Sequence, residues 1–180
     1  MCIPSVSSEE ISLQVRQSIE KACAEAEAGR LPDRQWTFKI FSDLTRLGRG
    51  YGFKVRGSKQ PEDDFERGWL WDFTWTDIRN WHRSDRADGN LIELPLVLES
   101  EWNLNFENEI LWDFQKLFVA RAQLRVMIFQ QSTKEDADKC LERMRNAIKS
   151  FSWTRSGDRY LFACWIRSES RTLTEDYIQS

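Results

Sequence analysis

Eight residues constrain this chain more than any others. In Trp69 to Thr76 (WLWDFTWT), Trp69, Trp71, Phe73 and Trp75 recur at every second position, with Leu70, Asp72, Thr74 and Thr76 between them. A period of two is the period of an extended strand, whose alternate side chains point to opposite faces. A strand this aromatic belongs in a core, so the chain must build a sheet around it. Asp72 is then the anomaly. A partly buried carboxylate must be protonated, paired or coordinated, because an isolated buried charge costs several kcal/mol or more.

A second core strand is expected at Leu91 to Trp102 (LIELPLVLESEW), with Pro95 marking a bulge or the strand start. Its apolar run ends in Glu99 and Glu101, on one face with Val97. If the two strands pair, neighbouring backbones lie about 5 Å apart. Asp72, Glu99 and Glu101 can then converge on a volume the size of a hydrated cation. Mg²⁺ takes one or two protein carboxylates and completes its shell with water and phosphate oxygens. Such an ion, or Mn²⁺ in its place, activates water and neutralises charge on a phosphodiester. The plainer alternative makes Asp72 a satisfied buried acid, with Glu99 and Glu101 marking the strand's exit into solvent.

The remaining elements follow from periodicity and punctuation. Residues 7–28 read as a helix capped by Ser7 or Ser8, with Ile11, Val15, Ile19 and Ala22 as its stripe. Residues 35–47 form a second helix closed by Gly48 and Gly50. Tyr51 to Arg56 alternates as a strand, and residues 57–67 and 80–90 are polar connections. A helix is expected over 107–122, with Ile110, Phe114, Leu117 and Phe118 inward. Leu124 to Gln130 is a buried strand, Thr133 caps a helix over 134–150, and Arg159 to Arg167 is the last strand before a polar tail. Of the nine tryptophans, Trp69, Trp71, Trp75, Trp112 and Trp165 are assigned to the core. Trp81 and Trp102 sit at element ends, where packing or base stacking are the choices. The order α-α-β-β-β-α-β-α-β describes an α/β protein, a mixed sheet flanked by helices. The later β-α-β connection requires a parallel crossover. At 180 residues, one domain over 1–180 is expected.

Charge is unevenly distributed. From Arg30 to Lys59 there are eight basic residues against two acids, whereas Ala87 to Gln115 holds seven acids and no Lys or Arg. That pattern suggests phosphate contacts in one place and a divalent cation in another. Arg46, Arg49, Lys54 and Arg56 are the candidate nucleic-acid contacts. The lone histidine, His82, excludes any centre needing two histidines, and is read as a surface residue. Cys2, Cys23, Cys140 and Cys164 form no CxxC pair, so a zinc ribbon has no support, and Cys140 and Cys164 read as small core residues. No apolar run is long enough to span a membrane, and the first residues lack signal-peptide character, so reduced thiols and a cytoplasmic location are expected.

With these residues in view, the chain resembles the PD-(D/E)xK nucleases, the restriction-endonuclease-like superfamily. The resemblance covers residues 35–130: an initial helix, a three-strand meander, a helix and a further strand. The helix over 7–28 and the helix and strand over 134–167 lie outside that core. In that family an Asp stands on the second core strand and an (Asp/Glu)-x-Lys on the third. Asp72 matches the first, and Glu99-Ser100-Glu101 the second, with Glu101 in the lysine's place and no Pro before Asp72. Some members carry Glu in that slot, and in others the lysine migrates to the next helix, where Lys116 is the candidate. The resemblance implies a metal-dependent nuclease in which Asp72, Glu99 and Glu101 hold Mg²⁺ or Mn²⁺ and Lys116 stabilises the phosphate. It implies nucleic acid as partner, DNA ahead of RNA, and is compatible with a homodimer. The alternative is an inactive copy of the fold that acts as a binding or regulatory partner, which the missing strand lysine favours.

Overall fold

Ser7 starts the first helix by accepting a hydrogen bond from the Glu10 N–H on its Oγ at 3.1 Å. This helix, α1 (Ser8–Ala28), buries Ile11, Val15, Ile19, Ala22 and Ala26 along one stripe. The computed structural model describes residues 6–57, 70–79 and 90–180. The second helix, α2 (Asp33–Gly50), does not stop at Leu47 but continues through both glycines. Gly48 is a packing residue there. A Cβ built on it would stand 2.5 Å from Nε1 of Trp75. The chain turns only at Gly52, whose φ of 85° suits a residue without a side chain. The first strand, β1 (Lys54–Gly57), therefore begins three residues later than the alternation suggests, and Tyr51 caps α2 instead.

The remaining elements are β2 (Phe73–Arg79), β3 (Asn90–Glu101), α3 (Leu111–Lys116), β4 (Leu124–Gln131), α4 (Lys134–Ser150), β5 (Arg159–Ile166) and β6 (Arg171–Ile178). The strands form one mixed sheet in sequence order, β1-β2-β3-β4-β5-β6. The pairs β1–β2 and β2–β3 are antiparallel, β3–β4 and β4–β5 are parallel, and β5–β6 is antiparallel. The meander and the two β-α-β crossovers thus follow the expected order. The sixth strand was not expected. It carries the polar sequence RTLTEDYI at a sheet edge, against polar residues of α1: Thr174 donates to Glu20, and Ser12 to Asp176. An edge strand of this kind has little apolar alternation to betray it.

Helices α1 and α2 cover one face of the sheet over Phe73, Trp75, Leu96, Leu98, Val126 and Leu161. Helices α3 and α4 cover the other over Val97, Met127, Phe129, Tyr160, Phe162 and Cys164. The central strands are buried on both sides, which is why they read as continuous apolar runs. Pro95 sits at a bulge. The register Trp75↔Leu96 gives way to Asp77↔Glu93, so Leu94 and Pro95 together oppose Thr76. Thr133 caps α4 as expected, bonding the Asp136 N–H at 3.2 Å. Cys140 and Cys164 are buried free thiols within the second layer, and Cys23 within the first. Among the described residues no helix is long and apolar enough to cross a membrane.

The aromatic strand is not one-sided in the expected way. Phe73 and Trp75 face the α1–α2 layer, but Trp71 lies just before the strand and packs into the α3–α4 layer. Its indole N–H donates to the Lys116 carbonyl at 3.1 Å. Trp69 lies outside the described residues, as do Trp81 and His82.

Candidate functional site

Side chains alternate along β3, so Val97, Glu99 and Glu101 point to the α3–α4 side. Glu99 is 1% exposed. The helix above it is short. Asn105 caps a single π turn (Phe106–Ile110) by accepting from the Asn108 N–H, α3 follows, and a 3₁₀ turn (Leu117–Val119) ends it. The expected helix over 107–122 is thus broken into three pieces. Ile110, Phe114 and Leu117 still face inward. This path brings Lys116 over β3. Its Nζ lies 2.8 Å from Glu99 Oε2 and 2.9 Å from Asp113 Oδ1. Asp113 is the residue that motif reasoning did not assign to the site, although its i, i+3 spacing to Lys116 is legible.

Asp72 immediately precedes β2. The register Phe73↔Leu98, carried one step further, sets Asp72 opposite Glu99. Its Oδ2 accepts from the Ser100 N–H at 3.2 Å, with the Ser100 hydroxyl at 3.4 Å. The hydrogen bond from Trp71 to Lys116 ties the start of β2 to the end of α3, so Asp72 and Lys116 are held by the same contact. The structure therefore gathers Asp72, Glu99 and Lys116, from two strands and the next helix.

Burial pushes the Glu99 carboxyl up to about 7. Lys116 opposes that rise, while the negative charges of Asp72 and Asp113 add to it. For Lys116, burial disfavours the ammonium, but its contacts with Glu99 and Asp113 outweigh this and hold it above the ordinary lysine range. Glu99 Oε1 is buried with no hydrogen-bond partner among the described residues, and Oε2 has only the ion pair with Lys116. A buried carboxylate so sparsely bonded is costly unless something completes its shell.

Glu101 departs from expectation. Its Oε1 accepts the Asn103 N–H at 2.6 Å, in the turn that leaves the strand. It is not gathered with the other two acids, because this turn offers a local backbone donor at the point where β3 ends. Among the described residues no three His, Cys, Asp or Glu side chains form a group able to hold a metal ion. The expected three-carboxylate centre reduces to Asp72 and Glu99. Mg²⁺ in general takes only one or two protein carboxylates, and Glu99 Oε1 is an acceptor without a partner among the described residues.

The basic segment divides between two faces. Lys54 pairs with Thr76 and Arg56 with Thr74, which in turn opposes Val97, so both basic residues lie on the Glu99 face of the sheet. Arg46 and Arg49 are on α2, which covers the opposite face. Arg46 is paired with Asp43 at 3.1 Å. The tryptophan assignment also changes. Trp165 and Trp75 are core, but Trp112 is 68% exposed on α3, one helical turn before Lys116. Trp102 packs against the α1–α2 layer, its indole N–H on Thr37 Oγ1 at 2.8 Å.

No protein-family model matches the chain, and comparison with curated proteins and with solved structures finds no significant match.

Proposed function

We propose that the chain is a metal-dependent phosphodiesterase of the restriction-endonuclease-like kind, acting on nucleic acid. The observation that carries this reading is the salt bridge from Lys116, on the helix after β3, to the buried Glu99, with Asp72 on the neighbouring strand. This is the arrangement expected where the motif lysine has moved to the next helix. The meander followed by a parallel fourth strand supports the same core. Asp72 and Glu99 would hold Mg²⁺ or Mn²⁺, which when bound supplies an activated water and screens the phosphate charge.

The chain's own groups do the rest. Lys116 presents its ammonium where negative charge would develop on phosphate. Asp113, its second partner, keeps it pointed at Glu99 when that carboxylate is engaged elsewhere. Lys54 and Arg56 lie on the correct face to hold a phosphate backbone, and Trp112 offers an exposed ring beside Lys116 for an unpaired base. Arg46 and Arg49, on the other face, have no part in this arrangement.

The test is cleavage of single- and double-stranded DNA and RNA with Mg²⁺ or Mn²⁺. Activity is expected in the wild type and absent in Asp72→Ala, together with loss of Mn²⁺ binding by titration. Lys116→Ala should lower the cleavage rate by about 10²-fold or more with metal affinity little changed, since an electrostatic donor of this kind contributes a few kcal/mol to the barrier. Normal cleavage by Lys116→Ala would remove the lysine from the chemistry. A second reading is an inactive member of the fold that binds a partner. It is favoured by the capture of Glu101 by Asn103, which leaves two carboxylates in place of three. A wild type that neither cuts any substrate in the panel nor binds Mn²⁺ selects it.

A further inference from the structure

A cavity of about 370 Å³ opens at the N-terminal ends of β4 and β5, and it shares no lining residue with the Asp72–Glu99–Lys116 cluster. Its size is that of a small-ligand pocket. Among the described residues three guanidinium groups line it, Arg121, Arg125 and Arg155, against the one carboxylate of Asp158. That carboxylate is already engaged. Its Oδ1 lies 3.2 Å from Arg125 Nη2, and its Oδ2 accepts the Arg155 backbone N–H at 2.9 Å. The pocket is therefore left with an excess of positive charge. Arg121 and Arg155 are exposed, and neither side chain makes an ion pair among the described residues.

Arg125 gives the site its built character. It is 5% exposed, its Nε and Nη2 both donate to the Ala120 carbonyl, at 3.1 and 2.7 Å, and it lies over the Tyr160 ring at 5.2 Å. Among the described residues its buried Nη1 has no hydrogen-bond partner, nor has the buried Oε1 of Gln123 in the same lining. Two residues of the lining thus carry an unsatisfied donor and an unsatisfied acceptor, groups that in folded proteins a ligand or water completes. Trp153 and Val119, also in the lining, are 79% and 70% exposed apolar side chains. An aromatic face beside arginines suits a flat ring.

We propose that this cavity binds a small oxyanion joined, directly or through a sugar, to a flat ring that also bears an N–H or O–H donor. The oxyanion meets Arg121, Arg125 and Arg155, the ring lies on Trp153, and the donor serves Gln123. A nucleoside monophosphate and a hydroxylated aromatic carboxylate both have this chemistry.

Calorimetric titration of the full chain in metal-free buffer with EDTA tests it, using 5′-AMP, 4-hydroxybenzoate, adenosine and inorganic phosphate as probes. AMP or 4-hydroxybenzoate should bind, and whichever of the two binds tighter identifies the source. Adenosine and inorganic phosphate should each bind at least about tenfold more weakly, since each lacks one half of the recognition, a difference worth about 1.4 kcal/mol. Arg155→Gln and Trp153→Ala, both exposed positions that leave the buried Arg125 contacts intact, should each weaken binding by about tenfold. No binding of any probe at millimolar concentration overturns the proposal. So does binding that both variants leave unchanged, or inorganic phosphate binding as tightly as the tighter of AMP and 4-hydroxybenzoate. AMP binding lost in Lys116→Ala but normal in Arg155→Gln also overturns it, by placing the nucleotide at the acidic cluster.

Discussion

At pH 8, Glu99→Gln should make the metal-free protein more stable, by roughly 3 kcal/mol at most, while abolishing cleavage. The Glu99 carboxyl is raised from its usual value of 4.5 to about 7, chiefly by burial. The folded state therefore holds the proton more tightly than the unfolded chain. The stability this lends is complete below pH 4.5 and is lost as pH rises through 7, and about 1.4 kcal/mol per pH unit sets the ceiling on the loss. Glutamine fills the same volume with no charge to desolvate. Lys116 keeps Asp113 as partner and is 40% exposed, so it does not become a stranded charge. Urea unfolding of wild type and variant at pH 5 and pH 8 is the measurement. Their difference should be small at pH 5 and grow by about 2 kcal/mol at pH 8, with other carboxylates cancelling between the two proteins. An unchanged difference would mean that Glu99 carries no burial penalty. Adding Mn²⁺ should stabilise the wild type and not the variant, because a ligand that binds only the folded site shifts unfolding by mass action.

Gly48→Ala should destabilise the fold by about 1–2 kcal/mol net, because overpacking costs up to about 3 kcal/mol and outweighs the roughly 1 kcal/mol by which alanine is the better helix former. The new Cβ would lie 2.5, 2.7 and 2.9 Å from three atoms of the Trp75 indole. That indole cannot retreat. It is fully buried, with the Phe53 ring stacked on it at 5.9 Å and Tyr51 at 6.2 Å. Gly50, in the last turn of the same helix, supplies the control, since a Cβ there meets nothing within 4 Å among the described residues. Gly50→Ala should be neutral or stabilising by up to about 1 kcal/mol. Thermal unfolding of the two variants distinguishes a packing glycine from a helix-ending one. Equal effects would remove the packing explanation for the helix running on to residue 50.

Much of the candidate site was legible before any fold was known. Asp72 and Glu99 stood out because each interrupts an apolar pattern, and burial is what makes such an interruption expensive. Lys116 was reachable because the helix after a core strand must pass over that strand. Glu101 was legible only as a residue type on the right face. Its carboxylate was taken by the Asn103 backbone, and competition from a local N–H at a strand end leaves no trace in period-two spacing. The division of the basic segment was hidden for a similar reason. Arg46, Arg49, Lys54 and Arg56 are close in sequence, yet the turn at Gly52 sends the first two to one face of the sheet and the last two to the other.

Local periodicity by itself determined the helices over residues 8–28 and 134–150, their serine and threonine caps, and the buried strands from residue 90 to 166, because capping and apolar repeats act over a few residues. Only the tertiary structure decided what depended on a distant neighbour. Gly48 reads as a helix stop until Trp75 is placed against it. Trp112 reads as core until α3 is placed with Phe114 inward, which leaves Trp112 on the exposed side. Trp71 changes face because its indole finds the Lys116 carbonyl. The last strand, β6, exists because the edge of β5 offers unpaired backbone groups that a polar tail can satisfy. Each of these outcomes is set by contacts between residues far apart in the chain, and their energies have no local signature for a sequence pattern to carry.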